Sequence, residues 1–213
     1  LEFRRVLFRS TLSLSAFPLP PSPFRLPPSM QLQVVGCSHH NSTLDFREKL
    51  AFTAAQAREA LDAWRRIFPG VEAVLLSTCN RVELYLAASN AAECPTHRDV
   101  VEFVATFHGL EPVDLFEELF ERTGEDAVRH LFTVAASLDS MVIGEAQILS
   151  QVKQAYEVAT QGNHAGSLLN LAFQRAIHVA RRVANETAIN QKRVSIPSVA
   201  VADFACQIFE RFD

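Results

Sequence analysis

Two apolar stretches, Val71-Glu72-Ala73-Val74-Leu75-Leu76 and Val82-Glu83-Leu84-Tyr85-Leu86-Ala87, stand on either side of the polar run Ser77-Thr78-Cys79-Asn80-Arg81. Rich in Val, Leu and Tyr and bounded by polar residues, both stretches read as short strands. The run between them sets a cysteine at a strand end, with an amide and a fixed cation within two residues. Cysteine attacks as the thiolate, and a nearby positive charge favours that form. On these residues alone two readings stand. Cys79 is a nucleophile helped by Arg81 and Asn80, or it is one more buried thiol, since free cysteine is among the most buried residue types.

The rest of the chain organises around these strands. Leu32 to Gly36 predicts a first strand, followed by a polar loop from Cys37 to Thr43. Thr53-x-x-Gln56 is a capping box. Behind it Ala57, Ala60, Leu61, Trp64 and Phe68 recur at helical spacing until Pro69-Gly70 stops the helix. A second helix is expected from about Thr96 to His108, ended by Gly109. Val113 to Arg122 fits neither period well; a strand and a short helix both stand, and the strand reading is preferred. Further helices are expected after Gly124, from near Gly144, from Ser167 to about Thr187, and from Ser198 to Phe212. The order β-α-β-β-α-(β) followed by helices predicts an α+β fold: a ferredoxin-like antiparallel sheet with helices, then a helical segment leading into a linker helix.

Composition excludes several classes. With 48% hydrophobic and 21% charged residues and a net charge of −4, bulk electrostatics do not advertise nucleic-acid binding, which would need a local patch. No run approaches the roughly 18 apolar residues of a membrane span. The four cysteines, Cys37, Cys79, Cys94 and Cys206, show no Cys-x-x-Cys and no zinc spacing, so no metal site is expected and a reducing compartment is. No glycine-rich dinucleotide or P-loop motif occurs.

The first 29 residues differ from the remainder. They hold six of the ten prolines and four arginines, and after Glu2 the next acidic residue is Asp45. Such a segment does not make a packed element. It is read as a disordered tail, either sequence translated ahead of a start at Met30 or an organelle transit segment; prolines interrupt any secretory signal. The first alternative places the protein in the cytoplasm, the second in a plastid. The expected division is 1–29 tail, 30–187 folded domain and 188–213 the start of a linker helix.

Three polar constellations stand out. Gln147, Gln151 and Gln154 share one face of the helix from Gly144, with Glu145 in its first turn. They suit a small ligand bearing amine and carboxylate groups, or are simply a wet face. Asp139 and Ser140 complete such a pocket or cap a turn. His130 is a packing histidine or a proton donor. Arg175, His178, Arg181 and Arg182, followed by Lys192 and Arg193, form a stripe that meets phosphates or water.

Three separated blocks, taken together, resemble the glutamyl-tRNA reductase family. Ser77-Thr78-Cys79-Asn80-Arg81-Val82-Glu83 resembles its nucleophile motif. Ala127-Val128-Arg129-His130-Leu131-Phe132 and the stretch from Leu138 to Lys153, with its Gly144-Glu145-Ala146-Gln147 core, look like its next two blocks in order and distance. Val35-Gly36-Cys37-Ser38-His39 is similar to its opening strand and loop. The resemblance implies that Cys79 attacks the ester of glutamyl-tRNA and holds glutamate as a thioester, which NADPH reduces to glutamate-1-semialdehyde on a tetrapyrrole route. It implies a glutamate site lined by Thr78, Asn80, Arg81, Ser140, Glu145, Ala146, Gln147 and Gln151. Arg81 would grip the side-chain carboxylate, and His130 would help by acid–base action or orientation. NADPH would bind a further domain outside this chain, so that the fragment forms the thioester without reducing it. The resemblance also implies a homodimer for the full-length protein and glutamate-1-semialdehyde aminomutase as a partner. Ala146, where many relatives carry proline or threonine, and Ser150, where glycine is common, are departures.

Two other functions compete. One is a non-catalytic module that binds tRNA or a partner protein and merely retains the motif; it would tolerate Cys79→Ser. The other is a haem-sensing domain built on Cys37, His39 and His40, which the loop reading of those residues disfavours.

Overall fold

A computed structural model describes residues 31–141 and 144–190 of the chain. The expected tail, the linker helix beyond Asn190, Lys192, Arg193 and Cys206 lie outside the described residues.

Four strands form one antiparallel sheet in the order β2-β3-β1-β4: β1 (Gln31–Ser38), β2 (Glu72–Ser77), β3 (Arg81–Ala88) and β4 (Phe120–Thr123). The connections β1–helix–β2, β2–β3 hairpin and β3–helix–β4 make it the ferredoxin-like sheet the order of elements predicts. Between β1 and β2 lie α1 (Leu44–Lys49) and α2 (Ala54–Ile67); between β3 and β4 lie α3 (His97–His108) and α4 (Pro112–Phe116). Then follow α5 (Gly124–Ala135), α6 (Ala146–Gln161) and α7 (Ser167–Glu186). None of these helices is long and apolar enough to cross a membrane.

Every residue of β3 is buried, which requires helices on both faces of the sheet. The pleat sends Val82, Leu84 and Leu86 to one side, where Ser77 Oγ accepts the N–H of Phe52 and Gln33 bonds Cys94. On that side Trp64 of α2 packs against Phe68 and, edge-on at 4.9 Å, against Phe103 of α3. Arg81, Glu83 and Tyr85 point to the other side, where Tyr85 meets Phe173 of α7 and His130 of α5. Gly36 stands opposite Glu83 in the ladder. A Cβ there would lie 2.7 Å from Glu83 Cα and 3.1 Å from Glu83 Cγ, so only glycine leaves the space that Glu83 uses.

Local signals set several boundaries. The Thr53/Gln56 capping box forms as expected, and a second one, Thr96/Asp99, starts α3, which Gly109 closes in the left-handed conformation. Helix α7 begins at Gly166, which has no side chain to cap it. Glu72 of β2 supplies the acceptors instead, its carboxylate taking the N–H groups of Leu168 and Leu169 at 3.1 and 2.7 Å.

Two sequence readings are corrected. Val113 to Arg122 is a short helix followed by a strand. Pro112 at the first helical position presets the backbone for α4, and β4 exists because Phe120–Thr123 pairs with β1. Helix α1 was not expected; Thr43 caps it by accepting the N–H of Phe46.

Candidate active site

The β2–β3 hairpin turns through Thr78, Cys79 and Asn80, and the turn is wound around one hydroxyl. Thr78 Oγ1 accepts the backbone N–H groups of Asn80 and Arg81 at 3.2 and 3.1 Å, while Thr78 N–H donates to Arg81 O at 2.8 Å. Flanking loops then hold the tip from outside. The N–H of His39 donates to Asn80 O at 2.9 Å, and buried Arg47 donates from Nε to Cys79 O at 3.3 Å. The backbone of Cys79 is thus tied on both sides, yet its thiol is exposed. Cys37 is buried and Cys94 half-buried, and burial pushes both of these thiols up to about 11, against reaction as thiolate.

Below the tip the sheet carries a chain of buried charges. Arg81 is 1% exposed. Its Nη1 donates to Glu83 Oε1 at 2.7 Å and to Asp139 Oδ2 at 3.0 Å, and its Nη2 donates to the backbone carbonyl of Asp139. Glu83, fully buried, also accepts from His130 Nε2 at 2.9 Å and from the Tyr85 hydroxyl at 2.6 Å. Burial alone would raise Glu83; the His130 hydrogen bond and the Arg81 charge outweigh it and hold the carboxyl down at about 2. At the outer end Asp139 Oδ1 lies 3.1 Å from His40 Nε2. The His40 ring packs on His39, which burial and the neighbouring His40 and Arg81 push below its ordinary range.

The segment from Ser137 to Glu145 joins α5 to α6 beside this network. Ser137 enters it with a positive φ of 60°, its carbonyl accepts the N–H of Gly144 at 3.2 Å, and its hydroxyl donates to Ser140 Oγ at 3.3 Å. Gly144, at φ 86°, lies against Ile189, and a Cβ there would meet the Ile189 backbone. Glu145 is the N-cap residue of α6, and its side chain makes no cap bond. Further along α6, Gln151 and Gln154 line a cleft of about 240 Å³ with Phe52, Ala57, Leu75 and Ser77, against the edge strand that leads to Cys79.

The structure therefore brings together Thr78, Cys79, Asn80, Arg81 and the segment bearing Ser140, with Gln151 along the adjoining strand. Gln147 lies exposed on the first turn of α6, which Ala146 opens. Arg81 is buried facing Asp139 and Glu83, which take its two terminal nitrogens, while its Nε has no hydrogen-bond partner among the described residues. His130 is buried between Tyr85 and Phe120 and bonds Glu83, inside the domain. Asp139 is already a pocket candidate from the sequence, whereas sequence reasoning missed Glu83, Tyr85, Arg47 and His40 as parts of this framework. A signal existed: Arg81, Glu83 and Tyr85 alternate within an otherwise apolar strand, which aims three polar side chains at one buried face.

No group of three or more metal-binding side chains occurs among the described residues. Nor do those residues suit a dinucleotide. Gly36 lies within a strand and is filled against Glu83, and no glycine-rich turn joins a strand to a helix N-terminus.

Fold and tip together define a class: an α+β domain with a ferredoxin-like sheet that presents one exposed thiol at the end of a braced hairpin. Residues 35–187 match the family described as the N-terminal domain of glutamyl-tRNA(Glu) reductase, and the chain belongs to it. Glutamyl-tRNA reductase of Rhodopirellula baltica is 44% identical over 182 residues, covering 85% of this chain and 42% of the relative. The enzyme of that name from Rubrobacter xylanophilus is 44% identical over 180 residues, covering 84% and 41%. The solved glutamyl-tRNA reductase of Methanopyrus kandleri superposes with a TM-score of 0.64 at 34% identity, over 80% of this chain and 38% of that one. The chain spans about two-fifths of the length of these relatives.

Proposed function

We propose that this domain performs the acyl-transfer half of glutamyl-tRNA reduction. Cys79 sulfur bonds to the acyl carbon of glutamyl-tRNA, the bond from that carbon to the ribose oxygen breaks, and the thiol proton passes to the ribose oxygen. Free tRNA and a glutamyl thioester result. The observation that carries this reading is the exposed thiol on a backbone held by Thr78, His39 and Arg47. A nucleophile fixed in position while its side chain faces solvent can meet an ester carbon without reorganising the turn.

On this reading Thr78, Asn80 and Ser140 would border the bound glutamate, Glu145 would meet its α-amine, and Ala146, Gln147 and Gln151 would extend the site along α6. The exposed Arg175, His178 and Arg181 of α7 suit tRNA phosphates, whereas Arg182 is paired with Glu186 at 2.8 Å. Hydride from NADPH would complete the conversion to glutamate-1-semialdehyde for tetrapyrrole synthesis. Binding of that cofactor is assigned to the further length found in the relatives. A homodimer of the full-length protein, the aminomutase that consumes the semialdehyde, and the cytoplasm are the partners and place consistent with this reading.

The test is direct. The chain is mixed with glutamyl-tRNA carrying labelled glutamate, quenched in acid and mapped by mass spectrometry. A hydroxylamine-sensitive label on Cys79, absent in Cys79→Ser, is expected. No adduct on the wild-type chain, or one that survives Cys79→Ser, sinks the reading and favours a module that only binds.

A further inference from the structure

We propose that Asp139 is the positioning residue of this acyl-transfer site: through Arg81 and His40 it pins Ser137 to Met141, the start of the connection from α5 to α6, onto the hairpin that carries Cys79. The proposal rests on the acyl-transfer reading and names how the site is held together.

Of the described apolar side chains between Ser137 and Met141, Leu138 and Met141 are 49% and 61% exposed. The connection's internal bonds, Gly144 N–H to Ser137 O and Ser137 Oγ to Ser140 Oγ, shape it without attaching it to the sheet. The attachment runs through Asp139. Arg81 reaches both its carboxylate and its carbonyl, so the contact fixes backbone as well as side chain, and His40 holds the second carboxylate oxygen from the loop after β1. Three segments far apart in sequence meet at one residue, and the residue after Asp139 is Ser140, at the proposed glutamate site.

The same chain explains His130. Glu83 is the third residue of β3, beyond the turn that carries Cys79, and His130 bonds Glu83. The imidazole is buried, packed against Tyr85 and Phe120, and its side-chain hydrogen-bond partner is Glu83. It acts through Glu83, which aims Arg81, which holds Asp139. His130 is on this view a second positioning residue. Its removal should reproduce the defect of losing Asp139.

The experiment uses the whole chain and three variants, Asp139→Asn, His40→Gln and the two combined. Single-turnover thioester formation on Cys79 is followed against glutamyl-tRNA concentration. Alkylation of Cys79 by iodoacetamide and amide exchange at Gly144 are measured alongside. Asp139→Asn should slow thioester formation about 10- to 100-fold, the scale of a small misplacement of reacting groups. It should speed exchange at Gly144 about tenfold and leave alkylation within about twofold of wild type. His40, 60% exposed at its side chain, can be replaced without threatening the fold, so His40→Gln should weaken half-saturation about two- to fivefold. The combined variant should be no worse than Asp139→Asn alone.

Unchanged thioester formation and unchanged Gly144 exchange in Asp139→Asn overturn the proposal, as does strict additivity of the two substitutions. So does a gain in half-saturation, since Asp139 would then be a stand-in for the substrate carboxylate at Arg81. Should Asp139→Asn fail to fold, wild-type behaviour of His40→Gln overturns it. If the wild-type chain forms no thioester, the acyl-transfer reading falls, while Gly144 exchange still decides whether Asp139 holds the segment.

Discussion

The two faces of strand β3 are built from opposite materials. Toward α2 and α3, Val82, Leu84 and Leu86 meet a layer that includes Trp64 and Phe103, held by dispersion and by exclusion of water. Toward α5 and α7, Arg81, Glu83 and Tyr85 meet His130, Asp139 and Phe173, and there hydrogen-bonded charges take the place of methyl groups. Both faces are equally buried, so burial alone does not explain the choice. Taking a guanidinium and a carboxylate out of water carries a penalty that their attraction only partly offsets, and apolar residues of similar volume often stabilise a fold as well or better. The polar face is therefore best understood as geometry set in place for the tip above it, whereas the apolar face supplies stability.

Substitutions can break this comparison, and the most disruptive removes one member of the charged pair. Glu83→Ala leaves Arg81 buried with a single remaining counter-charge at Asp139 and should destabilise by about 3–5 kcal/mol in urea unfolding. On the other face Leu84→Ala should lose about 2–4 kcal/mol through a cavity, with thioester formation at the wild-type rate in whatever fraction stays folded. Replacing Arg81 and Glu83 together by Met and Leu sharpens the contrast. Stability should return to within about 2 kcal/mol of wild type, yet adduct formation on Cys79 should remain impaired. Recovery of both would show the network to be structural only.

Acid separates the faces in another way. Glu83 sits at about 2 in the folded protein against an ordinary value of 4.5. Its contribution to stability is therefore complete above 4.5 and drains away as pH falls from there toward 2. Urea midpoints of the wild type should fall across that window, and Glu83→Gln should flatten the fall; parallel curves would show that Glu83 is not held as described. The smallest effect is expected from Tyr85→Phe, which removes one hydrogen bond to Glu83 and should lose about 1 kcal/mol.

What could be read from sequence follows the range of the forces involved. Capping at Thr53 depends on residues three apart, and the helix after it appeared where the spacing put it. The strands around Cys79 declared themselves by composition. Helix α4 and strand β4 did not, because Val113–Arg122 has no clean period and β4 is stabilised by β1, more than eighty residues earlier. The match of Arg81 to Asp139 was also illegible. Alternation along the strand puts the cation on one face with Glu83 and Tyr85, but only the fold says which distant residue meets it there.

By itself the amino-acid order determined that two apolar strands would flank a polar turn with Cys79 at its tip, because strand alternation and turn chemistry act over a few residues. Tertiary structure alone decided that this thiol, and not Cys37 or Cys94, would face solvent, and that Arg81 would be matched to Asp139, 58 residues away. Exposure and charge pairing depend on what the folded chain brings within a few ångströms, and desolvation makes those encounters decisive.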